Sequence, residues 1–430
     1  MKKYFLMPII IFPVVIFASN TNFLSIYNMG LNQNPSYQSA TLQLIQAQNN
    51  LDAINSFFYP TLSLTTSSFT LNASGVSVTS QLSFTLGLLN LYSTQIGFSL
   101  PLNLNSLSFG NLYISASRNL IVEDKANLMQ AKSSYSGALW NLENTKWSYL
   151  NTIVQNIFNW YFYQKMIDLY SQEVQILEGV YKSVSPLNQS QQNSDYQQLL
   201  SAMSSLQTYK NSLISIQPLP NFTPYSTELY KDTISFVSSL TSNLSTNVDV
   251  NEIVSQRQDI QSLEYQYMAY KYQADLWYLP FIPNPSITFL LPVNNPSKWS
   301  LSLNLNFSIL NGGSNILQSR QRLTNVTIGH ENLQNATTTD ISSLKGLLLN
   351  QKTLQINLLA AQNNVQTALQ NFQTIKALYE KGLESFDNYM LANINYQISL
   401  LNQERVQQQI LLNKIQIMQM EGMPFGGEII

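Results

Sequence analysis

This chain holds little with which to do covalent chemistry. His330 is its one histidine in 430 residues, and it has no cysteine. That removes disulfides, thiolate nucleophiles, Cys-based metal sites and an N-terminal lipid-anchored cysteine. His330 has no ligand-spaced partner, so it reads as a solvated helix residue rather than a metal ligand. A histidine with scattered Ser and Asp makes no triad without geometry. Gly312-Gly313 reads as a turn, because the Lys-Ser/Thr of a phosphate-binding loop does not follow it. Trp160-Tyr161-Phe162-Tyr163 and Tyr265–Tyr272 could form a ligand platform. Packing between neighbouring helices is the preferred reading, since aromatic rings bury large areas. No catalytic residue, metal or cofactor is expected, and the chain reads as a non-enzyme.

Charged residues make up 10% of the chain, against the usual quarter, and the net charge is −2. No basic patch suggests nucleic acid. Ser, Thr, Asn and Gln replace the charges, which suits walls that are wet on one side and packed on the other. Met1-Lys2-Lys3 followed by the apolar run Phe5–Phe17 and a small residue at Ala18 reads as a signal peptide over residues 1–18. Its rival is an uncleaved N-terminal anchor. No later segment approaches the ~20 consecutive apolar residues of a membrane-spanning helix, so any membrane contact must be made by strands.

The elements that position these residues are written twice. Asn34-Pro35-Ser36-Tyr37-Gln38-Ser39 opens a helical run that ends at Pro60, before alternating Thr61-Leu62-Ser63-Leu64. Arg257-Gln258-Asp259-Ile260-Gln261-Ser262 opens another, followed by Pro283 and Ser286-Ile287-Thr288-Phe289. One shift superposes Gln38 on Gln261, Asp52 on Asp275 and Pro60 on Pro283. A repeat of this kind decides architecture more firmly than any local pattern.

Repeat one covers residues 19–216, with a helix over 34–57, strands over 61–105 and a helical hairpin over 119–216. A connector over 217–250 carries one short helix near Glu228–Leu240. Repeat two covers residues 251–420, with a helix over 251–279, strands over 285–309 and a hairpin over 316–420. A short tail, 421–430, follows. Leu82-Phe84-Leu86-Leu88 and Leu301-Leu303-Leu305-Phe307 alternate with small polar residues. That pattern fits a barrel wall with lipid outside and water inside, or a half-buried soluble sheet. Leu344, Leu347, Leu354, Leu358, Ala361 and Val365 step by threes and fours, with only Gln351 interrupting the seam. Such heptads specify helices packed side by side. The outgoing arm, Ser319 to Tyr379, would measure roughly 90 Å.

In this order and doubling, the chain resembles the TolC family of outer-membrane efflux proteins (outer membrane factors). The marks are Asn34-Pro35, Tyr59-Pro60, Ile282-Pro283, Ser308-Ile309-Leu310-Asn311-Gly312-Gly313 and Tyr379-Glu380-Lys381-Gly382-Leu383. The resemblance implies an α+β membrane protein built from a duplicated helix–strand–strand–helical-hairpin unit. It implies a homotrimer with a shared transmembrane β-barrel, four strands from each protomer, continued by a long periplasmic α-helical barrel. It implies a passive exit duct in the outer membrane for tripartite efflux or type I secretion. The partners would be a periplasmic adaptor and an inner-membrane pump of RND, ABC or MFS type. Competing readings are a periplasmic coiled-coil spacer or adaptor without a pore, and a self-sufficient diffusion porin.

The resemblance also places a gate. Family members often carry aspartates just after the second tip; here Asn388 and Leu391 stand at those positions, a departure from the acidic pattern. Glu384 and Asp387 could substitute, or Leu391 could form an apolar constriction; as a third possibility, both acids cap a helix start. The hairpin tips are the expected adaptor contacts, through Val184, Pro186, Leu187, Lys381, Gly382 and Leu383.

Overall fold

A computed structural model of the protein describes residues 22–55, 61–66, 69–72, 75–78, 81–91, 94–103, 108–109, 111–119, 123–183, 189–242, 244, 248–282, 285–304 and 313–425. The expected signal peptide, the turn residues Pro60, Pro283 and Gly312, and the tip residues Val184, Pro186 and Leu187 lie outside the described residues.

The helices are α1 (Phe23–Gln33), α2 (Pro35–Asn55), α3 (Asp124–Ser183), α4 (Gln189–Ile214), α5 (Thr227–Leu240), α6 (Val250–Gln256), α7 (Gln258–Asp275), α8 (Ser314–Glu380) and α9 (Phe386–Met420). The strands are β1 (Thr61–Thr66), β2 (Phe69–Asn72), β3 (Gly75–Val78), β4 (Gln81–Leu91), β5 (Thr94–Asn103), β6 (Ser108–Phe109), β7 (Tyr113–Asn119), β8 (Ser286–Pro292) and β9 (Ser300–Asn304).

One sheet runs β1-β4-β5-β7-β8-β9, with β6 beside β5, and β2 pairs β3 in a second sheet. Every step along the main path is antiparallel. Two strands per repeat were expected. Instead, four strands of the main path come from the first half of the chain and two from the second. Strand structure also reaches Asn119, beyond the expected limit at 105, and α3 begins only at Asp124.

Two helical boundaries differ from the sequence reading. Helix α1 precedes α2; the chain breaks at Asn34, whose backbone is extended, and Pro35 opens α2, where a missing N–H costs nothing. The helix expected over 251–279 is two helices, because Arg257 adopts an extended backbone at φ −67° and ψ 145° between α6 and α7. The connector holds α5, capped by the Ser226 side chain on the Leu229 N–H, after a short 3-10 turn at Pro220–Phe222.

The chain forms two compact units. In the one built from Met1–Asn34, Trp147–Leu244 and Leu349–Gln416, Phe23, Tyr27, Trp147, Leu150, Ile157 and Phe158 are buried. Phe23 stacks on Tyr27 and lies 5.0 Å from the Phe236 ring of α5. In the other, built from Pro35–Lys146, Ser245–Leu348 and Ile417–Ile430, the sheet accompanies α2, α6, α7 and the remaining helical segments. There the Ser133 and Ser262 hydroxyls meet at 3.1 Å, and the Asn141 amide donates to Gln43 at 3.1 Å.

Candidate functional site

The hairpin between α8 and α9 turns within five residues, and its backbone explains why. Gly382 sits at φ +71°, where a Cβ is strained. Its N–H donates to the Tyr379 carbonyl, and the Leu383 N–H reaches back to the Leu378 carbonyl, both at 2.9 Å. This paired closure satisfies carbonyls that the helix end leaves open. Ser385 then starts α9, its hydroxyl accepting from the Asn388 N–H at 3.1 Å.

Glu384 is tied into the same turn. Its carboxylate accepts from the Asn388 side-chain amide at 2.7 Å and from the Ser385 N–H at 3.1 Å. These bonds, the Asn388 amide first, hold its pKa below the usual carboxylate value. Glu384 and Asn388 therefore act together as a local lock on the turn. Asp387 lies in the first turn of α9, where negative charge suits the helix dipole. Leu383 is 72% exposed and Phe386 56%, with Lys381 and Gly382 also exposed. Behind them Tyr379 stacks on Tyr389 at 5.1 Å, and Phe372 stacks on both Tyr389 and Tyr396.

Leu391 is engaged within the chain. It packs against Val174, Leu177, Leu199 and Ala202, which joins the start of α9 to the ends of α3 and α4. A buried carboxylate, Asp195, and a half-buried one, Glu173, escaped the sequence reading. Asp195 accepts from the Gln191 amide at 2.8 Å through one oxygen, and its other oxygen has no hydrogen-bond partner among the described residues. Glu173 likewise has one unpartnered oxygen, and burial raises its pKa.

Polar layers interrupt the apolar seams. Gln351 is buried and accepts from the Asn413 amide at 2.8 Å, while Asn350 donates to Asn413 at 2.8 Å. Tyr230 of α5 donates to Glu404 and accepts from the buried Gln408 amide at 2.8 Å. Burial, then the bond to Glu404, drives the Tyr230 pKa far upward. Tyr161 stacks on that ring at 3.7 Å, and Trp160 stacks on Tyr225 at 5.5 Å. Burial pushes the Tyr225 pKa up to about 12. The aromatic run 160–163 thus packs between helices. Tyr267 of the second run lies 5.4 Å from the His330 ring, and His330 itself is exposed on α8.

No protein-family model matches this sequence, and no curated protein matches it. Solved structures do. The Campylobacter jejuni CmeC outer membrane channel aligns over 93% of this chain and 85% of its own, with a TM-score of 0.58 at 17% identity. VceC from Vibrio cholerae, an outer membrane protein, aligns over 93% and 96%, with a TM-score of 0.52 at 13% identity. The open state of the Neisseria gonorrhoeae MtrE outer membrane channel aligns over 93% and 88%, at 0.51 and 13%. The chain has the outer-membrane channel fold. The described residues include no group of three or more His, Cys, Asp or Glu able to hold a metal ion.

Proposed function

We propose that this protein is a passive exit duct of the outer membrane, engaged by a periplasmic adaptor and an inner-membrane pump for efflux or type I secretion. The observation that carries the reading is the channel fold shared over 93% of the chain. A second is chemical: residues 53–117, which hold β1 to most of β7, contain no charged side chain. Charge on the lipid face of a barrel strand is costly, and a stretch without any fits such a wall.

The working form in this reading is a homotrimer with a transmembrane β-barrel and a periplasmic helical barrel. The main sheet path has six strands, so β1 and β9 run in opposite directions. Rotation would therefore pair β9 of one copy with β1 of the next and keep the alternation. Tyr196, Leu200 and Met203 form an exposed i, i+4, i+7 stripe on α4, and Leu349 and Ile356 another on α8. Neighbouring copies would cover such stripes.

In this account the tip Lys381–Leu383, with Val184, Pro186 and Leu187, meets the adaptor. The gate is drawn from Glu384, Asp387, Asn388 and Leu391. Since Glu384 is bound to Asn388 and Leu391 is packed internally, Asp387 is the group left to form an acidic ring. Single-channel recordings in planar bilayers test this. Asp387→Ala should raise conductance and weaken blockade by multivalent cations, while Leu391→Ala should loosen the closed state. Wild-type conductance and blockade in both variants would remove the gate assignment, and silence of the unmodified protein would remove the channel.

A further inference from the structure

The main sheet is open at both ends. Among the described residues, β1 pairs only with β4 and β9 only with β8. Proteins usually guard such an edge with charge, proline or a bulge. Neither β1, Thr61–Thr66, nor β9, Ser300–Asn304, holds a charge or a proline, and the register of each with its one neighbour runs without a break. Leu301 and Leu303 of β9 are 62% and 58% exposed as well. Both edges are therefore open to a further strand.

All six strands of the path suit a single wall. β4 has 11 residues and β5 has 10, the length of strand that crosses a bilayer. From edge to edge, the register sets apolar residues opposite apolar ones. Leu64 stands opposite Phe84, and Phe84 opposite Leu100. Phe98 stands opposite Ile114, Ile114 opposite Leu291, and Phe289 opposite Leu301. A bulge between Gly87 and Leu89 brings Leu89 opposite Ile96, so the apolar row continues past it. Residues opposite one another share a face, and neighbours along a strand alternate. A β1–β4 hairpin held outside the wall would leave its part of this row in water, at about 1.5–3 kcal/mol for each large apolar side chain.

We propose that all six path strands of each copy enter the membrane, with β9 of one copy pairing antiparallel with β1 of the next, so that three copies close a barrel of eighteen strands. This rests on the trimeric duct reading and gives it a wider mouth than the four strands per protomer that the resemblance implies. With strands about 4.8 Å apart and tilted by about 40°, a ring of eighteen measures about 36 Å between opposite backbones, against about 24 Å for twelve. Barrels of the larger size keep an aqueous channel. The face turned to that water is uncharged: one rung runs Thr61, Gly87, Gly97, Ser115, Leu290 and Ser300. Another runs Gln95, Ser117, Thr288 and Ser302. Arg118, the only charged residue on the path strands, stands opposite Ile287 in the apolar row. The outer mouth thus takes large polar cargo without sorting it by charge, and leaves sorting to the helical end.

The absence of cysteine makes the test clean. In the full chain, Ser302→Cys on β9 is combined in turn with Thr61→Cys, Ser63→Cys and Thr65→Cys on β1. It is combined separately with Gln95→Cys and Ser99→Cys on β5, the strand that would form the edge if each copy gave only β5, β7, β8 and β9. Other path strands separate β9 from both β1 and β5 within one copy, so any disulfide joins two copies. Ser300→Cys replaces Ser302→Cys if that variant does not fold. The protein in vesicles of phosphatidylethanolamine and phosphatidylglycerol is oxidised with copper–phenanthroline and run on a non-reducing denaturing gel. Covalent dimers and trimers, and nothing larger, are expected from at least one β1 combination, at tenfold or more the yield of either β5 combination. Cross-linking through β5, or monomers from all three β1 combinations, would overturn the eighteen-stranded barrel. Conductance of the same preparation in planar bilayers separates the two readings: a conducting protein with either result keeps the duct with fewer strands, and a silent one loses both.

Discussion

Each of the two compact units holds an inward arginine, Arg257 buried and Arg405 half-buried, and the two are compensated in different ways. Arg257, 3% exposed, is clasped by Asp259 through two bonds at 3.0 and 2.6 Å and by Asp340 at 3.1 Å. It donates to the Met420 carbonyl at the end of α9 and lies 4.4 Å from the Trp140 ring centre. Among the described residues, the partners of Arg405 are neutral: Asn159, Gln408 at 3.3 Å and the Phe162 ring at 5.2 Å. Burial accordingly depresses its pKa, with nearby Tyr163 and Tyr230 opposing. A buried charge clasped by opposite charges is costly to break, whereas one held only by neutral groups has lost hydration without an ion pair to offset it. The Arg257 cluster fixes the helix ends around it; the Arg405 layer is held by neutral groups and has no opposite charge to clasp it among the described residues.

The sharpest way to break this contrast is Arg257→Ala. It strands two partly buried carboxylates and the Met420 carbonyl, and should destabilise by about 3–5 kcal/mol. Thermal unfolding in detergent should show the loss directly; an unchanged midpoint would mean that the cluster holds nothing.

Glu421 gives the next largest effect, in the same unit. Burial lifts its pKa to about 7, and one carboxylate oxygen has no partner among the described residues. Because the folded state favours the protonated acid, this group costs least below the ordinary carboxylate pKa. The cost grows as pH rises toward about 7 and is constant above. Glu421→Gln should therefore stabilise by about 1–3 kcal/mol at alkaline pH and flatten the pH dependence of unfolding between the two pKa values.

In the other unit, Asn413→Leu leaves the Gln351 and Asn350 side chains without their partner and should cost about 1–2 kcal/mol. Adding Gln351→Leu should restore part of that loss, as a double-mutant cycle would show. Smallest of all, Arg405→Met should change stability by less than about 1 kcal/mol, since it swaps a poorly compensated charge for apolar volume. A loss as large as that of Arg257→Ala would erase the difference between the two arginines.

Much of this was legible in the chain. The stepped apolar positions from Leu344 to Tyr379 turned up as one continuous helix, with Leu344, Gln351 and Leu354 on its buried side. Lys381-Gly382 marked the turn, because only a glycine suits the left-handed backbone there. What the sequence hid was set by distant partners. Nothing local breaks a helix at Arg257; its extended backbone belongs to a cluster that includes Asp340 and Met420. Helix α1 was obscured by Gly30, a weak helix former, whose place is dictated by the Tyr149 hydroxyl and Pro220 packed where a Cβ would stand. Gln351 was visible as an interruption, but its partner Asn413 lies 62 residues away on the other arm. Strand β7, Tyr113–Asn119, alternates too weakly through Ser115-Ala116-Ser117 to be read without its neighbours β5 and β8.

The central claim is that the chain builds a duct. Electron microscopy of the detergent-extracted mature protein, classified by symmetry, tests it most directly. The account predicts a hollow threefold particle with a short membrane barrel continuous with a long helical tube. A monomer, or a rod without a lumen, would contradict it.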